Sequence, residues 1–106
     1  MTISNNVVVG VKGDAEGVAF GASSRASREM TYGIYLDDLS ANIEVVGNKV
    51  TDAAGGIYLH NASWNNVHGN TIQAVTLASI EVSSDWKYPK TPCTFTETVR
   101  GNLIHD

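Results

Sequence analysis

Cysteine and proline are scarce in this chain of 106 residues, which contains one cysteine, two prolines and ten glycines. The lone Cys93 excludes an internal disulfide bond and a metal site of cysteine spacing, and it leaves the redox compartment undecided. Few prolines together with many glycines are typical of repeated tight corners rather than of a disordered linker.

The charge and hydropathy patterns exclude two classes of partner. Seven basic residues stand against eleven acidic ones, the net charge is −4, and the basic residues form no cluster. The sequence therefore lacks the electrostatic footprint of nucleic-acid binding. No apolar run approaches the roughly 20 residues that a membrane-spanning helix needs. No secretory signal is recognisable, because the first residues run directly into strand-like sequence.

What the chain does contain is a repeat. Gly-Ile-Tyr-Leu at residues 33–36 recurs at residues 56–59, and Ser-Ile-Glu-Val follows at residues 79–82, each step being 23 residues. A second phrase, Gly-Asn followed by strand-like residues, begins at Gly47, Gly69 and Gly101. A period in the low twenties built of short β-rich phrases predicts a solenoid whose coils each pack only on their neighbours.

Alternation with a period of two predicts which side chains of the repeated strands face the core. The inward positions are Ile34 and Leu36, then Ile57 and Leu59, then Ile80 and Val82. The outward positions stack into two columns. One column contains Tyr35, Tyr58 and Glu81, and its neighbour contains Asp37, His60 and Ser83.

The Gly-Asn pairs are expected at corners, because glycine and asparagine tolerate the left-handed backbone region. We expect Asn48, Asn70 and Asn102 to stack between coils, with each side-chain amide bonded to the next. Residues 6–10 resemble residues 42–47 and indicate a fainter earlier coil.

Two segments interrupt the repeat within a single β-helix segment of residues 1–106. Residues 21–32 are predicted to form an irregular polar loop or a short helix, and residues 84–98 an inserted loop that carries Trp86 and Tyr88. Insertions in repeat proteins often lie on the binding face. Neither end carries a capping element, and open ends expose unpaired strand edges. We expect further coils of a longer solenoid, or a partner chain, to cover them.

The repeated phrases resemble the right-handed parallel β-helix superfamily, in which Gly-Ile-x-Leu strands alternate with Gly-Asn-x-Ile corners. The fold expected is therefore all-β, a right-handed parallel β-helix of about four coils. Lyases, hydrolases, epimerases and phage tailspikes share these motifs, which specify architecture more than activity. Residues 32–38 look most like bacterial carbohydrate-active β-helix proteins, including glycoside hydrolases. The resemblance implies a polysaccharide or oligosaccharide partner, a secreted or cell-surface location and no cofactor.

In some proteins of that group, an aspartate at the end of such a strand and an acid one or two coils on perform the chemistry. Asp37 matches the first position, and Glu81 is the best match for the second. Glycoside hydrolysis needs one carboxyl group as acid and another as base or nucleophile. The hypothesis assigns Glu81 as the acid, Asp37 as the base and His60 as a residue that tunes both. Two coils, or about 9.6 Å plus a lateral offset, separate the two acids, which favours inversion.

Substrate contacts would come from Asp38 and from aromatic side chains, because sugar rings pack well on flat aromatic faces. The aromatic candidates are Tyr35, Tyr58, Trp86 and Tyr88. Two alternatives stay open: Asp38 caps a corner through an Asx turn, and the two outward tyrosines only cover each other as a cross-strand pair. No metal site is expected, because the three histidines share no ligand spacing and Asp37 with His60 supplies too few ligands.

A second function competes with catalysis, namely a non-catalytic glycan-binding or structural β-helix module, as in tailspikes and surface proteins. Outward carboxylates on a β-helix are usually solvated surface groups, and that favours this alternative. A lyase fits less well, because the outward columns offer no Lys or Arg as a base and no aspartate cluster for calcium.

Overall fold

The computed structural model describes residues 1–11, 31–84 and 99–105, and the regular elements in these ranges are all β-strands. No helix that is long and apolar enough to cross a membrane occurs in these ranges. The strands are β1 (Thr2–Ser4), β2 (Val7–Val9), β3 (Tyr32–Leu36), β4 (Glu44–Val46), β5 (Lys49–Ala53), β6 (Gly55–His60), β7 (Asn66–His68), β8 (Thr71–Val75), β9 (Ile80–Ser83) and β10 (Leu103–His105).

Consecutive strands belong to three different sheets, so each coil contributes one strand to each sheet in turn. Sheet A has the order β1-β4-β7-β10, sheet B the order β2-β5-β8, and sheet C the order β3-β6-β9. Every pairing is parallel. The described residues thus form three coils and the first strand of a fourth, which confirms the predicted parallel β-helix.

The core is a set of inward columns between the three sheets. The residues that are almost completely buried are Val45, Val50, Ile57, Leu59 and Val67. Ile34 and Leu36 are buried beside them, as the alternation predicted. Val82 continues the column of Leu36 and Leu59 but is 42% exposed, because among the described residues β9 pairs on one side only, with β6.

Left-handed residues mark the corners, and each corner has one at equivalent positions of successive coils, because the chain must turn sharply between sheets. Glycine is not required at every one, and asparagine, aspartate, alanine and even tryptophan occupy some of them. In register order the corner columns are Asn5, Gly47 and Gly69; Gly10, Asp52 and Ala74; and Asn42, Trp64 and Gly101.

Buried asparagines form ladders beside these corners, and one predicted member belongs to a different ladder. The side-chain amide of Asn48 donates to Oδ1 of Asn70 at 2.9 Å, as expected. Asn102 instead accepts from the amide of Asn65 at 3.1 Å. The predicted grouping of Asn102 with Asn48 and Asn70 is wrong, because Trp64 fills the left-handed position before Asn65 and hides the Gly-Asn signature there.

The boundaries of the first coil also differ from the prediction. Asn6 lies in register with Asn48 and bonds to it, so residues 6–10 do not correspond to residues 42–47. Tyr32 already belongs to β3, so the predicted loop at residues 21–32 ends no later than Thr31. The rest of that loop lies outside the described residues, as does the predicted insertion at residues 84–98 apart from Ser84.

Candidate functional site

The outer face of sheet C carries most of the predicted site residues. Tyr35, Tyr58 and Glu81 lie opposite one another in β3, β6 and β9. In the neighbouring column, His60 lies opposite Ser83, and its imidazole contacts Asp37 of the preceding coil. Both outward columns therefore form as the alternation predicted.

Asp37, Asp38 and His60 come together at one edge of this face. Nδ1 of His60 lies 2.9 Å from Oδ1 of Asp37 and 3.4 Å from Oδ1 of Asp38. One donor atom from each residue falls within 4.8 Å of the other two. The imidazole side chain is only 15% exposed, whereas the carboxylates are 58% and 36% exposed. The cluster is thus anchored on its nitrogen side and open to solvent on its oxygen side.

The turn that carries Asp38 is one residue longer than the equivalent turn of the next coil. Equivalent positions are 23 residues apart at Leu36 and Leu59, and 22 residues apart at Ala41 and Ser63. The longer turn contains Leu39, which is left-handed, with φ of 64°. Its amide donates to the carbonyl of Asn61 at 3.0 Å, while the amide of Ser40 closes a turn onto the carbonyl of Asp37 at 2.9 Å.

Local hydrogen bonds fix the charge states around the cluster. The hydrogen bond from His60, aided by one from the backbone amide of Asp38, lowers the pKa of the Asp37 carboxyl below its ordinary value of 3.8. Burial, together with the nearby Asp37 carboxylate, raises the pKa of the Tyr35 hydroxyl well above its usual range. At neutral pH, Asp37 is therefore an anion and Tyr35 a neutral hydrogen-bond donor.

The aromatic residues of this face pack mainly on one another. The rings of Tyr35 and Tyr58 stack with their centroids 4.9 Å apart, and Tyr32 packs against Tyr58 at 4.7 Å. Tyr58 is only 9% exposed. Much of the flat surface that the sequence offered for sugar stacking is thus used inside the protein.

Glu81 lies on the same face as Asp37 but has a different partner. It accepts a hydrogen bond from the hydroxyl of Tyr32, which lies at the opposite end of β3 from Asp37. Two coils and two residues along the strand separate the acids, or about 11–12 Å between Cα atoms. The structure brings Asp37, Asp38 and His60 together and leaves Glu81 with the tyrosines. Trp86 and Tyr88 lie outside the described residues.

Sequence reasoning missed two features of this site. It counted Asp37 and His60 as ligand candidates and left out Asp38, which lies in the turn that contains Leu39. It also overlooked Asn61, whose side-chain amide donates to Oδ1 of Asp38 at 2.7 Å. The sequence signal for both residues was that the spacing of equivalent positions in neighbouring coils falls from 23 residues before Asp38 to 22 residues at Ser63.

Comparison with known proteins gives one family and no individual relative. A family described as periplasmic copper-binding protein (NosD) matches residues 1–106. No curated protein and no solved structure matches the chain significantly. The periplasmic description confirms the expected location outside the cytoplasm, and the match agrees with a parallel β-helix without specifying a glycoside hydrolase.

Proposed function

Since the chain belongs to the NosD family, whose description is that of a periplasmic copper-binding protein, we propose that it is a non-catalytic β-helix segment that binds Cu(II). The ligands would be His60, Asp37 and Asp38. The observation that carries this proposal is the convergence of one imidazole nitrogen and two carboxylate oxygens within 4.8 Å.

The distances between these donor atoms suit a first-row metal ion. Bonds of about 2.0–2.1 Å place neighbouring ligand atoms about 2.9 Å apart at right angles and about 3.3 Å apart in a tetrahedron. The separations of 2.9 Å and 3.4 Å from Nδ1 of His60 to the two oxygens match these values. Metal binding would release the proton on Nδ1.

The chemistry of the donors favours oxidised copper. Imidazole and carboxylate suit Cu(II), Ni(II) and Zn(II), and for a given site of this kind Cu(II) binds most tightly of the three. The set contains no thiolate or thioether, the ligands that select Cu(I). Two carboxylates also bring two negative charges to the ion, and their exposure leaves room for water or a further ligand.

Binding would also join two coils of the solenoid. Asp37 and Asp38 follow β3, whereas His60 ends β6. An ion held by all three cross-links these neighbouring coils, so binding adds to the free energy of unfolding in proportion to the logarithm of free metal over Kd. Copper in this account is cargo that the segment holds and exchanges through its open side.

The test is equilibrium titration with Cu(II) in competition with a weak chelator. Wild type is expected to bind one equivalent at this site, and His60→Asn to bind it at least about tenfold more weakly, since even outer-shell changes cost that much at metal sites. His68→Asn is the matched control, because His68 is also bonded to a carboxylate, that of Glu44 at 3.0 Å. Equal losses in both variants, or no binding by wild type, contradict the proposal.

A glycoside hydrolase-like function is the second candidate, favoured by the presence of Asp37 and Glu81 on one outer face. It receives less support, because Glu81 is bonded to Tyr32 and each acid has its own partners. Sugar release from a panel of polysaccharides tests it. If the two acids act as a pair, wild type releases sugar and Asp37→Asn and Glu81→Gln each release none. A non-catalytic segment releases no sugar from any polysaccharide of the panel.

A further inference from the structure

Asn61 differs from the other buried asparagines of the chain in the use of its side chain. Asn48, Asn61 and Asn65 are each about 1% exposed. The amides of Asn48 and Asn65 donate to the next asparagine of their ladders, Asn70 and Asn102. The side-chain amide of Asn61 instead donates to Oδ1 of the partly exposed Asp38 at 2.7 Å.

We propose that Asn61 is a positioning residue for the metal site, whose buried amide holds the Asp38 carboxylate toward His60. This inference rests on the proposed function and names the residue that sets the affinity of the site. Asp38 lies in the turn that follows β3 and is partly exposed, and loss of this hydrogen bond would allow its carboxylate more rotamers. Ordering it would then add a cost to every binding event.

The backbone around Asn61 is well suited to hold such a contact. The backbone amide of Asn61 donates to the backbone carbonyl of Ser83 at 2.9 Å, and the backbone carbonyl of Asn61 accepts from the backbone amide of Leu39 at 3.0 Å. The residue is thus tied to both neighbouring coils, with a left-handed φ of 50°. The anchor is fixed in the core, while the group that it orients lies at the surface.

The contact is compatible with metal ligation by the same carboxylate. An ionised carboxylate offers about four lone-pair positions, so it can accept from an amide and still bind an ion. The amide donates through nitrogen and does not compete as a ligand. Asn61 therefore occupies the place of the outer-shell hydrogen-bond donors that orient metal-binding carboxylates in proteins.

The test compares Asn61→Gly with Asn65→Ala. Glycine removes the amide and accepts the left-handed backbone at position 61. Asn65 is equally buried, but its amide donates to Asn102 and to the carbonyl of Ser40 rather than to a carboxylate of the cluster, so the alanine variant controls for a general loss of stability. We expect Asn61→Gly to weaken Cu(II) binding about 10- to 100-fold and Asn65→Ala to change it less than about threefold, both measured where the variants are folded.

A second readout does not depend on copper. In the metal-free wild type, the side-chain amide protons of Asn61 should exchange slowly with solvent. In the NMR spectrum of metal-free Asp38→Ala, the resonances of these Asn61 protons should shift, whereas those of the Asn48 side-chain amide should not. This experiment uses a surface variant and stands even if Asn61→Gly fails to fold. Unshifted Asn61 resonances would overturn the contact itself.

The outcomes separate the two proposals. Wild type that binds Cu(II) together with Asn61→Gly that binds equally well overturns the positioning role alone. Equal weakening by Asn61→Gly and Asn65→Ala also overturns it, because the effect is then one of stability. Wild type that binds no Cu(II) overturns the proposed function, and the positioning role falls with it.

Discussion

Nδ1 of His60 lies 2.9 Å from Oδ1 of Asp37, across two neighbouring coils that are 23 residues apart in sequence. The half-buried imidazole belongs to the end of a strand, and the exposed carboxylate to the turn that follows the preceding strand. Two parts of the repeat that are equivalent in backbone thus carry different chemistry. One coil has an aspartate and the next has a histidine in the same column, and these two residues form the nitrogen–oxygen pair on which the metal site depends.

The pH dependence of stability follows from this pair. The pKa of Asp37 is lowered in the folded protein, so its contribution is complete above its unfolded value near 3.8 and is lost as the pH falls through the lower folded value. Asp37→Asn should therefore lower the free energy of unfolding at pH 5–7 and have no effect at the acid end. Because Asp37 is largely exposed, the difference should stay below about 1 kcal/mol.

Urea unfolding of both proteins between pH 3 and pH 7 measures this difference. A gap between wild type and variant that widens as the pH falls below 4 would contradict the assignment of the lowered pKa to Asp37.

The asparagine ladder should be a major source of stability. Asn48 accepts from the backbone and side-chain amides of Asn6 at 3.0 and 2.9 Å, and donates to the carbonyl of Ile3 at 2.9 Å and to Asn70. Asn48→Ala removes these bonds and leaves buried partners unsatisfied, at a cost of about 2–4 kcal/mol. Thermal or urea unfolding measures the loss.

Asn66→Ala is the control for that prediction, because Asn66 lies on the outer face of sheet A and, among the described residues, its side-chain contact is with His105. We expect a change below about 0.5 kcal/mol. Equal costs for the two variants would mean that the ladder is no more important than a surface hydrogen bond.

Gly56 has no room for a side chain. A Cβ atom there would overlap the backbone carbonyl of Ser79 and press on the side chain of Ile72. Since backbone cannot rotate away, Gly56→Ala should destabilise the protein by about 2–3 kcal/mol through overpacking. Its matched control is Gly10→Ala, where no atom of the described residues lies within 4 Å of the added atom and the left-handed φ of 79° opposes alanine.

For Gly10→Ala we expect a loss of about 1–2 kcal/mol, which is the ordinary cost of a left-handed non-glycine residue. The two variants are compared by urea unfolding under the same conditions. A smaller loss at Gly56 than at Gly10 would contradict the close packing of coils at β6.

The solenoid could be predicted from the sequence because its two signals, the 23-residue repeat and the alternation within Gly-Ile-Tyr-Leu, are local. It was harder to predict from the sequence which corner residues lie in register in successive coils. The turn requires a left-handed backbone rather than a particular side chain, so Trp64 replaced glycine without a recognisable motif. Because that signature was missing, Asn102 was placed in the wrong asparagine ladder.

The site was predicted in part for a related reason. Alternation placed Asp37 and His60 in one column, since both continue the strand pattern. Asp38 and Asn61 lie just after β3 and β6, where strand alternation no longer determines the direction of a side chain. The partner of Glu81 was missed because Tyr32 was assigned to a loop, although it is the first residue of β3.

The central claim is that His60, Asp37 and Asp38 hold one Cu(II) ion. Its most direct test is the electron paramagnetic resonance spectrum of the protein with one equivalent of Cu(II). We predict a tetragonal signal with coupling to one imidazole nitrogen, which disappears in His60→Asn and persists in His68→Asn. Coupling to two or more imidazole nitrogens, or a spectrum that His60→Asn leaves unchanged, would contradict the claim.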